Sequence, residues 1–545
     1  MSRSTRRSLF SVLLVIVLCG FLGVGFSQRN GASFGAPAPD TDVRDGLKQF
    51  SEIYDLVQQN YADPVNDDKA IYNGAIPGML HVLDPHSNFF DPKTYSGLKE
   101  EQSGKYYGVG MAIAPRNNKI IVLAPFVGTP AYKAGLRPGD VITAVDNKQI
   151  DNMSVSDVAD LLKGPKGTTV HIAILREGAD KPLDFAVIRD EIPRNSVDLK
   201  FMIRPGIGYM HITQFNETTE TEVETALQDF GELKGLVLDL RGNPGGLLNE
   251  GVGVADKFLK RGQVIVSHRG RSSPEKVYRA AHGNAGKDYP LVVLVNHGTA
   301  SAAEIVSGAI QDHDRGLIVG EVTFGKGLVQ TVFPLSGDTG LALTTAKYYT
   351  PSGRLIQRDW TGVSLYDYYY AHEEEDNPNT NANNNPNTAS KEVKLTDSGR
   401  TVYGGGGITP DVKVPAPKPN RFEDSLAVKY AFFNFAKHYL VNRQVDKNFE
   451  VNDQVMQEFR KFLTGQNIPY TEAELKESLD RIKSNIKTEI FIAQFGQEAG
   501  LRVRAENDPQ VLSALNQLPK AKELAENARK IIAQRAAAQA AAATR

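Results

Sequence analysis

A chain of 545 residues exceeds one ordinary hydrophobic core and predicts three or four domains. With 62 basic against 64 acidic side chains its formal net charge is −2, which leaves no electrostatic footprint for nucleic acid or any strongly charged partner. The apolar and aromatic content is that of a globular chain and excludes a largely disordered one.

Arg3, Arg6 and Arg7 precede an uncharged, mostly apolar run from Leu9 to Phe26, 18 residues long, at the lower limit for crossing a bilayer. Positive charge ahead of such a run predicts an inside N-terminus and an exported body. Residues 1–27 therefore read as a signal peptide or an N-terminal membrane anchor, with Gly25-Phe26-Ser27 a poor cleavage site. The expected location is extracytoplasmic, in the periplasm or cell envelope. Cys19, the single cysteine, lies inside this run, and Leu18 precedes it where lipoprotein processing requires a small residue. The exported body is thus expected to hold neither disulfide nor thiol chemistry.

After a Gly/Ala/Pro-rich spacer (28–41), Val43, Leu47, Phe50, Tyr54 and Val57 recur at helical spacing. A second helical stretch runs from about Ile71 to Leu83 and closes at Asp84-Pro85-His86. Residues 42–93 are expected to form a small helical unit with a narrow apolar face. From 94 to 190 the texture changes to short β-like runs between glycine turns. Ile120–Val122, Val141–Val145 and Val170–Leu175 read as strands, Leu136–Asp140 as a turn, and Val155–Leu162 as a short amphipathic helix. Ahead of them Tyr107-Gly108-Val109-Gly110 is a glycine-flanked loop whose amides suit an anion. In this order the pieces resemble a PDZ domain of the circularly shifted bacterial kind. The resemblance implies capture of a peptide's terminal carboxylate in that loop, with the peptide added as an extra strand. An ordinary β-rich domain without a ligand is the alternative.

Residues 191–372 and 400–416 alternate apolar runs with helices, the pattern of an α/β core with parallel pairing. Gly235–Leu240 ends in Arg241-Gly242-Asn243-Pro244-Gly245-Gly246, and Leu291–Val295 is followed by a helix beginning near Ser301. Between the two core pieces, residues 373–399 carry the acidic run Glu373–Asp376 and an Asn/Pro-rich run to Thr388, expected to be solvated and disordered, with order resuming at Gly404. Residues 417–545 are charged and mostly helical and end in an alanine-rich tail.

Ser301 and Glu304 stand at S-x-x-E spacing, which by itself spells a helix-capping box. A serine at a strand-to-helix turn also lies beside unpaired helix amides that can stabilise an oxyanion. A nucleophile there needs a base. His313 and Asp314 are expected at the far end of the helix that Ser301 opens, and His211 stays open. Lys326, between two glycines and two residues after Phe324, is the better candidate, provided burial lowers its pKa. Gly320–Lys326 also fits the start of a phosphate-binding loop. Gly327 replaces the required hydroxyl residue, however, and Leu328–Phe333 alternates like a strand.

The segments G-T-A-S-A-A-E-I, T-F-G-K-G-L-V-Q, Y-Y-T-P-S-G-R-L-I-Q and G-I-T-P-D, in this order, resemble the carboxy-terminal processing (tail-specific) peptidases. The serine and lysine lie 25 residues apart, as in that family, and the likeness extends from about Val43 to Pro415, including the L-D-P-H-S segment at Leu83. The resemblance implies a crotonase/Clp-protease-like core with an inserted PDZ domain, Ser301 as nucleophile and Lys326 as general base. It further implies Gln330 as the residue orienting the lysine and the amides of Gly245 and Ala302 as the oxyanion hole. No cofactor or metal is implied, and the partners are protein or peptide C-termini. Lys163 stands where many members carry an arginine thought to couple peptide binding to the active site; lysine lacks the bidentate fork. Two other readings are an inactive module that binds C-termini and a serine hydrolase acting on other esters. Self-association is left open.

Overall fold

The computed structural model describes residues 41–116, 118–370 and 392–543. The apolar run Leu9–Phe26, Cys19 and the acidic and Asn/Pro-rich run Glu373–Thr388 lie outside them. No helix among the described residues is long and apolar enough to cross a membrane.

The described residues up to Ile76 form one compact unit. Its helix Thr41–Asn60 carries the expected stripe on the outside, with Val43, Leu47 and Phe50 exposed. Tyr54 donates to Asp67 Oδ1 at 2.9 Å, which fastens the helix to the segment leading into the π-helix Lys69–Ala75.

After the short helix Ile76–His81, β1 (Asn88–Phe90) and the helix Pro92–Ser103 follow in the second unit. That helix was not legible as one: only Tyr95 of it is buried, and its start is set by Asp91, which accepts the Thr94 amide, and by Pro92 in the first turn. Next, β2 (Lys105–Gly108) pairs antiparallel with β9 (Asp190–Pro193), a two-stranded neck that brackets the β-rich domain. Inside the bracket lie β3 (Met111–Arg116), β4 (Lys119–Pro125), β5 (Val141–Val145), β6 (Lys148–Gln149), β7 (Thr169–Leu175) and β8 (Leu183–Ile188). Their order is β3-β4-β5-β7-β8 with β6 on β5, so β3 is an edge strand. The helix Val155–Leu162 packs against β3 and β5.

The core sheet has the order β10 (Val197–Arg204), β11 (Ile207–Ile212), β12 (Gly235–Asp239), β15 (Leu291–Val295), β16 (Leu317–Gly320), β21 (Val412–Lys413). Every pair from β11 to β21 is parallel. Strands buried on both faces read as unbroken apolar runs, and β12 and β15 are buried at every residue. Leu236, Leu238, Leu291, Val293 and Val295 face one layer, with Ile305, Val306 and Ala309 of the helix Ala302–Asp312. Val237, Val292 and Leu294 face the other, against Val511, Ala514, Leu518 and Ala521 of the long C-terminal helix Pro509–Ala543. The expected C-terminal extension is therefore two structures. Residues Phe422 to Val503 build a helical subdomain with its own apolar core, while the last helix roofs the main sheet.

A second sheet joins β1, β13 (Val264–Arg269), β14 (Lys276–Arg279), β17 (Leu328–Pro334) and β18 (Gly340–Tyr349). The hairpin β19 (Val393–Leu395)/β20 (Thr401–Tyr403) shows that order returns before Gly404, within the stretch expected to be disordered.

Candidate active site

Ser301 closes the loop after β15 and opens the helix Ala302–Asp312, with φ 54° and ψ −115°. Positive φ is costly for a residue with a Cβ, and an ordinary N-cap is extended, so the backbone here is held by its surroundings. Glu304 Oε2 accepts the Ser301 amide at 2.9 Å, while the Glu304 amide bonds the Ser301 carbonyl at 2.9 Å. The serine is half-buried, and the helix behind it is buried at every residue.

Lys326 sits in the irregular segment between β16 and β17, which turns back over the start of the Ser301 helix. Glu304, fully buried, gathers this segment: it accepts Thr323 Oγ1 at 2.5 Å and the amides of Gly325 and Lys326, each at 2.8 Å. From β18 the Tyr348 hydroxyl donates to the Lys326 carbonyl at 2.6 Å and faces the Ser301 carbonyl at 3.1 Å. Lys326 Nζ donates to Gln330 Oε1 at 3.0 Å, and Gln330 Nε2 donates to the His86 carbonyl. The expected pairing of Gln330 with the lysine is thus present. Asp84 holds the D-P-H-S turn by accepting the amides of His86 and Ser87, each at 2.8 Å, and the Ser87 hydroxyl at 2.7 Å.

Burial sets the electrostatics. It pulls the Lys326 ammonium below its ordinary value, against the opposing charges of Asp84 and Glu304. It pushes the Glu304 carboxyl up to about 7, against the bonds from Thr323, Lys326, Gly325 and Ser301. It also pulls His86 down to about 4, with the Lys326 charge adding to the effect, so this imidazole is neutral and brings no second cation. Among the described residues no hydrogen bond joins the Ser301 hydroxyl to Lys326 Nζ: the amine faces Gln330. Bonds between a candidate nucleophile and its candidate base are often long in unliganded enzymes and tighten around substrate.

The two amides expected to form an oxyanion hole, those of Gly245 and Ala302, stand differently. Gly245 adjoins Ser301 so tightly that a Cβ there would lie 2.6 Å from Ser301 Cβ and 2.9 Å from the Ala302 nitrogen, and its φ is +94°. Only glycine fits. Its amide, however, donates to Asn243 Oδ1 at 2.8 Å, so it is not available as the sequence reading had it. The cause is local: Asn243 is fully buried and its side chain closes the turn two residues on. The Ala302 amide, first in the helix, has no intrahelical acceptor.

The histidines considered from sequence are engaged elsewhere. His211 Nδ1 lies 2.7 Å from Asp198, and His313, at the far end of the helix, faces Asp397 and the Val264 carbonyl. Gly320–Lys326 leads into β17, not into a helix, which removes the phosphate-loop reading. Among the described residues no group of three or more His, Cys, Asp or Glu side chains gathers to hold a metal ion. Glu304, Tyr348 and the D-P-H-S turn were missed as site residues. The S-x-x-E spacing and the Y-Y-T-P and L-D-P-H-S segments contain them but do not say what they touch.

In the β-rich domain, Tyr107 and Gly108 belong to β2, paired with Glu191 and Asp190, and not to a loop. The turn proper is Val109 and Gly110. The Val109 carbonyl accepts the Ala131 amide at 2.8 Å, and Gly110, at φ +77°, accepts Thr129 Oγ1 at 2.7 Å. Beyond the turn runs β3, whose outer edge has no partner strand among the described residues. Lys163, at the end of the helix Val155–Leu162, donates to Glu100 Oε2 at 2.6 Å, tying the domain to the helix Pro92–Ser103.

Comparison with known proteins agrees with this layout. Residues 206–364 match peptidase family S41, residues 121–176 a PDZ domain, and residues 27–94 the activating protease CtpB N-terminal domain. Residues 427–496 match a family of unknown function, DUF8443. A carboxy-terminal-processing protease of Bartonella bacilliformis is 43% identical over 318 residues, which are 57% of this chain and 72% of that protein. The carboxy-terminal processing protease CtpA of Bacillus subtilis is 34% identical over 355 residues, 64% of this chain and 74% of that protein. Among solved structures, a photosystem II D1 C-terminal processing protease is 31% identical, with 68% of this chain and 88% of that one covered at a TM-score of 0.34. The chain belongs to the carboxy-terminal processing proteases of peptidase family S41, serine peptidases that here carry a PDZ domain.

Proposed function

We propose that this chain is an exported endopeptidase that captures apolar C-terminal tails of protein substrates and cuts them with a Ser301/Lys326 dyad. The tail's carboxylate is received at the turn that follows Tyr107-Gly108, at Val109 and Gly110, and the tail lies along the open edge of β3 as an added strand. Neutral Lys326 takes the Ser301 proton as the serine oxygen adds to the scissile carbonyl carbon. The oxyanion accepts from the Ala302 amide, and from the Gly245 amide once it turns from Asn243. Collapse breaks the C–N bond, the Lys326 ammonium returns the proton to the leaving amine, and the acyl group stays on Ser301. Water, deprotonated by Lys326, then hydrolyses the ester and restores the serine. Gln330 orients the amine between these transfers.

The observation that carries this reading is a half-buried lysine, depressed by burial, anchored through its own backbone to the residue that anchors the serine backbone. The Arg3/Arg6/Arg7 charge ahead of Leu9–Phe26 supports an extracytoplasmic location, periplasmic or cell-envelope, with that run as a membrane anchor wherever it is not cleaved. The test is digestion of an unfolded reporter with an apolar C-terminal tail by wild type, Ser301→Ala and Lys326→Ala. Loss of turnover in both variants is expected. A Ser301→Ala protein as fast as wild type ends the serine mechanism, and a fully active Lys326→Ala ends the dyad.

A further inference from the structure

A proton passes between serine and lysine only if two separate stretches of backbone keep register. Ser301 opens a helix, and Lys326 lies 25 residues later in an irregular segment between strands. Two side chains span that gap. Glu304, 0% exposed, accepts the Ser301 amide and the Lys326 amide on the same oxygen, at 2.9 and 2.8 Å. Its other oxygen takes the Gly325 amide and the Thr323 hydroxyl. Tyr348, 1% exposed, offers its single proton to the Lys326 carbonyl at 2.6 Å and the Ser301 carbonyl at 3.1 Å.

We infer that Glu304 and Tyr348 are the positioning pair of this active site: one binds the amides of both dyad residues, the other their carbonyls, and together they fix the nucleophile against the base. The inference rests on the Ser301/Lys326 reading above. Helix capping explains only one of the four bonds that Glu304 accepts, since the other three come from the lysine segment. Capping residues also normally face solvent, and this one does not. The positive φ of Ser301 is a conformation that neighbours must impose, and the Glu304 bond to its amide does so. Displacement of a reacting group by about 1 Å costs on the order of a hundredfold in rate, which is the scale of effect such a clamp controls. Glu304 has a second, electrostatic effect. Its charge favours the ammonium form of Lys326, so removing it lowers the lysine's pKa further.

Tyr348→Phe deletes one hydroxyl and leaves the ring in the core. On a tailed reporter its kcat is expected to fall about tenfold or more, with KM within about twofold and an unaltered melting temperature. Glu304→Gln is expected to lose more, and the acidic limb of its kcat/KM profile moves to lower pH, because the base deprotonates more readily. A merely structural defect moves the melting temperature, not that limb. Where Glu304→Gln fails to fold, Tyr348→Phe decides alone. A Tyr348→Phe enzyme with kcat within about twofold of wild type, or one whose loss follows its unfolding, overturns the positioning pair. Ser301→Ala and Lys326→Ala are run in parallel. Their inactivity beside a fully active Tyr348→Phe rejects only the pair, whereas activity in either rejects the dyad on which it depends.

Discussion

Around Ser301 the helix Ala302–Asp312 is buried at every residue, and the backbone of the lysine segment is bonded to Glu304 and Tyr348. In the PDZ domain the corresponding feature is an edge of β3 that no strand covers among the described residues. One region works because its polar groups are already paired in a water-poor interior, where electrostatic effects are strong and geometry is fixed. The other works because a row of amides and carbonyls is left open for a visiting strand. On the proposed function, catalysis is concentrated in a few side chains and recognition is spread along main chain.

The largest effect expected from that difference is at the proposed base, Lys326. Lys326→Arg keeps the charge but places in the site a group that does not deprotonate. Turnover of a tailed reporter should fall on the order of 10³-fold. The wild-type pH profile sharpens the point: burial depresses the Lys326 pKa and, on the proposed dyad, only the neutral amine acts as base, so kcat/KM should rise with pH through that depressed value. A flat profile through the neutral and alkaline range argues for another base. In the PDZ domain a single substitution should cost less. Gly110→Val forces a Cβ within 2.5 Å of Thr129 at φ +77°, and tail affinity read by fluorescence anisotropy should drop about tenfold. Affinity held within about twofold means that the carboxylate is not received at this turn.

The same contrast decides what was legible beforehand. Strands β12 and β15 were plain because burial on both faces demands unbroken apolar runs. The helix Val155–Leu162 was plain because one face is apolar. The helix Pro92–Ser103 was not, since it buries only Tyr95 and its cue was the cap at Asp91. The last helix could be read as helix, but its role as roof of the core sheet depends on Val511, Ala514 and Leu518 meeting Val237 and Leu294, a pairing no local pattern encodes. Ser301 and Lys326 were singled out by motif. Glu304 was read as half a cap because S-x-x-E is the same string whether its carboxylate binds one amide or four groups. The direction of the Gly245 amide is a single-torsion matter and was out of reach.

The C-terminal subdomain sharpens the comparison at intermediate strength, since it touches the recognition region from outside. The Arg116 guanidinium, at the end of β3, stacks 3.7 Å from the Tyr430 ring centroid and 4.3 Å from that of Phe433. Lys437 adds an ion pair with Glu177 at 2.7 Å, but both side chains are exposed enough for it to contribute little. Arg116→Ala should therefore loosen the contact by about 1–2 kcal/mol. Faster amide exchange is expected across residues 421–439, with the exchange of β12 and β15 unchanged. Unchanged exchange at 421–439 means that other contacts hold the subdomain in place.

The smallest expected effect lies at the far end of the Ser301 helix. His313 Nδ1 and Nε2 each lie 2.7 Å from an acceptor, Asp397 Oδ2 and the Val264 carbonyl. A neutral imidazole has one N–H, so both bonds form only when the ring is charged. Burial pulls the pKa down, but the Asp397 bond, the Val264 carbonyl and the charges of Asp397 and Asp312 outweigh it, and the net direction is up. Asp314, the next carboxylate, is paired with Arg400 at 2.6 Å, and Asp312 with Arg354 at 2.7 Å, so both nearby charges are already matched. A raised folded-state pKa contributes stability that is fully present below the unfolded value, near 6.5, and is lost as pH rises through the folded one. His313→Gln should therefore melt about 2–4 °C below wild type near pH 6, with the gap closing toward pH 9. A gap that widens as pH rises means that the ring is neutral in the folded protein and that hairpin β19/β20 is held to the helix chiefly by Arg400.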